Sequence, residues 1–351
     1  MLSKHITALL EETIATGKEL GCQCAIWIDG EVLVNFAGGW SEAQHLRPVT
    51  ENSLFPIFST GKLVTATTAL RAVAAGFIDL MEPVSRHWKE FVGEGRETIA
   101  LSHVLSHTTG LYCLPHASSP VELTDWKLMT SRLATMRPAW HPGTRTKYQA
   151  LTNSWLLGEP LMRATGCTLA ALMKSLVLEP AGMLGNFYSG LPENEEYRLV
   201  RLERAADLQP PLPAKQTFWN PTENMLRSPL VRRATIPAFN SVATAKGLMR
   251  LGVSLLTGLL SAEMLQMATT LQRHPNATIP DHPDYWEIFG FGFQLFGPAH
   301  HRGAAFGHGG YGGSELYIHP ASRTVVAFTR NRLSDNKQLL RQIKTTLNIL
   351  E

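Results

Sequence analysis

Ser59 and Lys62 stand three residues apart in "FPIFSTGKLVTA" (55–66), the spacing of a serine nucleophile and the amine that takes its proton. With Ser59 at the start of a helix, Lys62 projects from the same side one turn on. The positive end of the helix favours negative charge developing on the serine oxygen. An amine walled by "LFPIF" and "LVTA" loses stability in its charged form, so it can accept a proton near neutrality. The same stretch also offers Gly61-Lys62 as the end of a phosphate-binding loop. Such a loop requires a glycine upstream and a Ser or Thr after the lysine. Pro56, Ile57, Phe58 and Ser59 stand upstream and Leu63 follows, so nucleotide binding is rejected. A second Ser-x-x-Lys, Ser334 to Lys337, opens a polar helix without an apolar wall. Capping by Ser334 or Asp335 accounts for it.

Two further stretches carry candidate chemistry. "HPGTRTKYQALTNSWLLGE" places Tyr148 after a Pro142-Gly143 turn and before an apolar helix. "FGHGGYGGSELYIHP" sets His308, Gly309 and Gly310 at the entrance to a strand. Glycines there let backbone lie close to a ligand, and edge-strand amides can serve as oxyanion donors.

The elements that must position these residues come from both ends of the chain. A first amphipathic helix leads into "CQCAIWIDGEVLVNFAGGW", two strands joined at Asp29-Gly30. "SELYIHPASRTVVAFTRNRL" supplies two more strands, and "SDNKQLLRQIKTTLNIL" a closing helix. One antiparallel sheet covered by the terminal helices follows from this order. The middle reads as helices: one after Ser59 stopped by Gly76, one over "NSWLLGEPLMRATG" interrupted by Pro160, then "TLAALMKSLVLEPAG" and "TAKGLMRLGVSLLTGLL". Residues 185–235, rich in Pro, Asn, Glu and Arg, read as long surface loops.

With these stretches, together with "PVSRHWKEF", "LSHVLSHTTGL" and "IPAFNSVATAKGLMRL", the chain resembles the serine hydrolases built like class C β-lactamases and penicillin-binding proteins. The resemblance covers nearly the whole chain and is strongest to the cytoplasmic, esterase-like members of family VIII carboxylesterase type. It implies an α+β fold of the β-lactamase/transpeptidase kind. Residues 1–75 and 236–351 would form the sheet domain, with a mainly helical insertion over 76–235. It implies that Ser59 is acylated, that Lys62 is its partner, and that Tyr148, as phenol or phenolate, moves protons between nucleophile and leaving group. His308, Gly309 and Gly310 fall where the family has Lys-Thr-Gly, and the backbone amides of Ser59 and Tyr311 would form the oxyanion hole. Two departures stand out. The family's Tyr-x-Asn is here Tyr148-Gln149-Ala150, and its strand lysine is here His308, a weaker cation at neutral pH. Both remove groups that read a β-lactam and leave the acylation machinery in place, which points to esters or another acyl donor, with β-lactams at most a side activity.

The remaining features set bounds. At 351 residues, 44% hydrophobic and 17% charged, the chain is an ordinary globular one. A net charge of +3 without a basic run gives nucleic-acid binding no support. Glu11 and Glu12 break the apolar pattern a signal peptide needs, and no run is long enough to span a membrane. Cys22, Cys24, Cys113 and Cys167 lack metal or redox spacing, and Cys22 and Cys24 share one strand face where they cannot bridge. A cytoplasmic protein with four reduced thiols is expected. His103 and His107, four apart, lack the glutamate of a zinc-protease helix, so neither a metal nor another cofactor is expected, and "LSHTTGL" reads as a structural turn. His300 and His301 read as solvated, Trp88 and Trp155 as core, and Tyr112 as a residue that could line the pocket. The expected partner is a small-molecule acyl substrate. Acyl transfer to a biosynthetic alcohol or amine, β-lactam hydrolysis, hydrolysis of D-amino-acid amides or peptides, and a non-turnover binder that acylates once remain alternatives. The last sits poorly with a chain carrying no anchor or signalling domain.

Overall fold

Asp29 and Gly30 both take positive φ, 40° and 106°, as a tight hairpin with right-handed strand twist requires. They join β1 (Gly21–Ile28) to β2 (Glu31–Gly39). The structure, a computed structural model, describes residues 1–117, 119–209, 223–273, 287–297 and 303–349. Near the C-terminus lie β3 (Gln294–Phe296), β4 (Ala305–Gly309), β5 (Glu315–His319) and β6 (Thr324–Arg330). They combine with the first hairpin into one antiparallel sheet of order β2-β1-β6-β5-β4-β3. The sheet is thus built from both ends of the chain.

Alternation along β1 explains how the sheet is covered. Cys22, Cys24 and Ile26 share one face and pack with Ile6 and Leu10 of helix α1 (Leu2–Ala15) and Leu340 and Ile343 of the C-terminal helix. Ala25 and Trp27 on the other face join the main core. Gln23 is buried on that second face and is satisfied there. Its amide donates to the carbonyls of Thr50 and Ser53, and its oxygen accepts from the Ala245 amide at the start of the helix Ala245–Leu256.

The main core runs without a break from the sheet into the middle of the chain. At its centre is helix α2 (Lys62–Ala74), nearly all of whose residues are buried and which Gly76, at φ 75°, follows as expected. Helix α3 (Asn153–Thr165) packs against it and differs from expectation, because it continues through Pro160. Leu156, Leu157 and Leu161, all fully buried around the proline, hold the helix together despite the missing hydrogen bond.

Two other expectations are corrected. The final helix, α4 (Gln338–Thr346), is capped by neither Ser334 nor Asp335. Ser334 Oγ donates to Asp207 and Asp335 accepts the Gln209 amide, so both are drawn to another segment; the Asn336 side chain takes the Gln338 amide instead. Residues 185–235 are not simply surface loop either. Phe187–Tyr188 and Phe55–Pro56 both pair with Val242–Ala243, and Glu203–Arg204 pairs in parallel with Arg332–Leu333. Among the described residues, no single helix is long and apolar enough to cross a membrane. His300 and His301 lie outside the described residues.

Candidate active site

Ser59 sits in a 3-10 turn (Phe58–Gly61) that runs directly into α2. Three residues per turn bring positions i and i+3 into eclipse, so Lys62 stands directly over Ser59. Lys62 Nζ lies 2.8 Å from Ser59 Oγ, 2.7 Å from the Tyr148 hydroxyl and 2.7 Å from the Ala150 carbonyl oxygen. Three residues separated by up to 91 positions in the sequence, from Ser59 to Ala150, thus meet at one amine. The Ala150 carbonyl can only accept, so one N–H is always committed to it. The other two positions of a neutral amine, one N–H and one lone pair, are shared between the two hydroxyls.

The turn that carries Ser59 is fastened to the sheet. Ser314 Oγ donates to the Ile57 carbonyl at 2.9 Å and lies 3.2 Å from Thr60 Oγ1. Gly310 passes so close to this turn that a Cβ on it would sit 2.2 Å from the Ile57 oxygen and 2.2 Å from Ser314 Oγ. Any other residue there would push the end of β4 away from Ser59. Gly310 of "HGGYGG" therefore serves close approach, whereas a Cβ on Gly309 would meet only Gln294 Oε1 at 3.8 Å.

Burial sets the protonation of the site. It pushes the Lys62 ammonium well below its usual range and raises the Tyr148 phenol above its own. Both changes disfavour charge, leaving a neutral amine beside a neutral phenol. His308 is held at about 3, first by burial and then by Lys62. Its Nδ1 lies 2.6 Å from the Gly309 carbonyl, which can only accept, so Nδ1 carries the proton. His308 is therefore neutral and its Nε2 is an acceptor. The strand position that sequence reading treats as a weak cation carries no positive charge at neutral pH.

The buried amine has a consequence for stability. Between its lowered folded pKa and its ordinary value of 10.5, the unfolded chain holds a proton that the folded chain lacks, so stability rises with pH across that window. Lys62→Met should therefore raise the melting temperature at pH 7 while removing activity. The advantage should shrink as pH climbs, by up to about 1.4 kcal/mol per pH unit for one proton. A denaturation series from pH 7 to 10 on both proteins measures this. A Met variant less stable than the parent at pH 7 would contradict it.

Ser59, Tyr148, His308, Gly309, Gly310 and Tyr311 all line one cavity of about 280 Å³, walled also by Phe58, Leu151 and Phe239. Lys62 lies beneath its floor. Tyr112 is not in that wall but stacks on Trp140, with ring centroids 5.3 Å apart. His103 and His107 do not share a site: each Nδ1 accepts a backbone amide, from Ala100 and Gln149 respectively. No group of three metal-binding side chains occurs among the described residues. Sequence reasoning missed three contributors: the Ala150 carbonyl, His107, and Phe289, which stacks on Tyr148 at 5.6 Å. No spacing rule points to them, because each acts through a fold contact.

The family model described as Beta-lactamase matches residues 6–349. The esterase/beta-lactamase LipL of Mycobacterium tuberculosis is 28% identical over 338 residues, covering 89% of this chain and 77% of LipL. Esterase EstB of Burkholderia gladioli is 30% identical over 210 residues, 55% of this chain and 53% of EstB. Among solved structures, a family VIII carboxylesterase superposes with a TM-score of 0.87 at 23% identity, covering 99% of this chain and 98% of its own. A penicillin-binding protein homologue from Caulobacter crescentus gives 0.85 at 27% identity, with 99% and 98% covered. A sheet drawn from both chain ends, a serine and lysine eclipsed in one helical turn and a tyrosine closing the triangle thus converge with these likenesses: the chain belongs to the beta-lactamase family and is a serine hydrolase.

Proposed function

We propose that this hydrolase cleaves carboxylic esters of small molecules through an acyl-enzyme on Ser59. The observation that carries the reading is the triangle of Ser59 Oγ, Lys62 Nζ and the Tyr148 hydroxyl at the base of a small, mainly apolar cavity. Neutral Lys62 takes the Ser59 proton as Oγ attacks the ester carbonyl. The amides of Ser59 and Tyr311 hold the oxyanion. As the tetrahedral intermediate collapses, Tyr148 gives its proton to the departing alkoxide and recovers one from Lys62. Water then attacks the acyl-enzyme by the reverse relay. The 280 Å³ cavity suits a short acyl group or a compact alcohol. The name of EstB, an esterase, and that of LipL, an esterase/beta-lactamase, support the same substrate class. Four unbridged cysteines accord with a cytoplasmic site of action.

Intact-protein mass spectrometry after exposure to a panel of activated esters tests the reading. A transient mass increase equal to the acyl group, mapped to the peptide holding Ser59, is expected. Labelling at another residue, or none with turnover persisting, would overturn it. Tyr148→Phe should lower kcat by roughly 10²–10⁴-fold with KM little changed, because a proton donor acts in the transition state. A variant raised only in KM would make Tyr148 a binding group.

A further inference from the structure

Tyr148 is carried by a loop, not by a helix or strand, yet its hydroxyl must stay within hydrogen-bond reach of Lys62. One residue holds that loop on both sides. The His107 carbonyl accepts the Lys147 amide at 3.0 Å, and His107 Nδ1 accepts the Gln149 amide at 3.2 Å. The amides immediately before and after Tyr148 are therefore bound by the same residue. The imidazole also packs against the Tyr148 ring at 4.9 Å and against Phe289 at 4.4 Å, while Phe289 stacks on Tyr148. His107 itself takes φ 59°, a conformation that His and Asn tolerate better than most residues.

From this geometry we infer that His107 is the positioning residue of the proton relay, a neutral imidazole that fixes the Tyr148 loop by accepting hydrogen bonds on either side of the tyrosine. This rests on the reading of Tyr148 as proton donor. Because Nδ1 accepts, its proton is on Nε2 and the ring is uncharged. The ring is buried, and Lys62 and His308 face the same cluster, so a charged imidazole is disfavoured there. Protonating Nδ1 would turn an acceptor toward an N–H and release one side of the loop. Thr109 adds a second tie by donating to Gln149 Oε1 at 3.1 Å, which restrains Gln149 but does not reach the Tyr148 backbone.

Two substitutions separate the hydrogen bond from the packing. His107→Phe keeps a ring but removes the acceptor. His107→Asn removes the ring but places a carbonyl oxygen where Nδ1 stands and tolerates the positive φ. With an activated ester as substrate, His107→Phe is expected to lose about 10- to 100-fold in kcat with KM within about threefold, the pattern of a misplaced transition-state group. His107→Asn should recover most of that loss. Equal impairment of both variants, or a loss confined to KM, would overturn the assignment. Should His107→Phe fail to fold, the unmodified protein still decides the matter. With ¹⁵N-labelled histidine, His107 should show an unprotonated Nδ1 and a protonated Nε2, unchanged between about pH 5.5 and 9. A protonated Nδ1 would refute the clamp. That spectrum is independent of turnover, so it separates failure of the clamp from failure of the Tyr148 role, which full activity in Tyr148→Phe would reveal.

Discussion

Ser59→Ala is expected to remove ester turnover while leaving the fold in place. The loss should be roughly 10⁴- to 10⁶-fold in kcat, the range seen when a serine nucleophile is deleted and only binding and oxyanion stabilisation remain. The stability change should be small. Ser59 is partly exposed, its side chain caps no helix, and its hydrogen bonds with Lys62 and Tyr148 are worth about 1 kcal/mol each. Water can reach the vacated position from the cavity. Thermal melting and initial rates on the same preparation measure both quantities. Steady hydrolysis by a folded Ser59→Ala protein would place the nucleophile elsewhere.

The second large effect concerns substrate class. Activated short-chain esters such as p-nitrophenyl acetate and butyrate should be turned over with a kcat/KM two to four orders of magnitude above that for a cephalosporin. An ester asks only for the nucleophile and the oxyanion donors. A β-lactam also presents a side-chain amide and a carboxylate. Ala150 offers the amide no polar side chain, and its carbonyl is already engaged by Lys62. His308 offers the carboxylate no charge, because burial holds it at about 3. Its Nε2 carries a lone pair, which repels an anion rather than attracting it. Each missing contact is worth about 1 kcal/mol, or up to about 3 if charge-assisted, and about 1.4 kcal/mol is tenfold in rate. Nitrocefin turned over more efficiently than every ester tried would reverse the assignment. Lowering the pH should not rescue cephalosporin hydrolysis through His308 in the ordinary assay range, since burial and the neighbouring Lys62 hold it at about 3.

Much of this protein is determined by the sequence alone. The hairpin at Asp29-Gly30, the paired strands around "HPASR" and the helix after Ser59 are local features, written in periodicity and turn residues that act over a few positions. Ser59 and Lys62 are legible for the same reason, since a three-residue spacing on one helical turn fixes their relation without reference to anything distant. The helix through Pro160 and the uncapped start of α4 were decided by tertiary contacts, where burial of three leucines and hydrogen bonds to residues 207 and 209 outweigh local preference. The site divides in the same way. Tyr148 is visible as a residue type, but its place on Lys62, and the hold of His107 on the amides beside it, depend on segments brought together across 86 and 42 positions of sequence. The neutrality of His308 belongs to the fold as well: a histidine in a sequence titrates near 6.5, and only burial beside a lysine moves it to about 3. Sequence spacing carries information over one turn of helix or one strand pair; the dielectric around a group and its partners from remote segments exist only once the chain has packed.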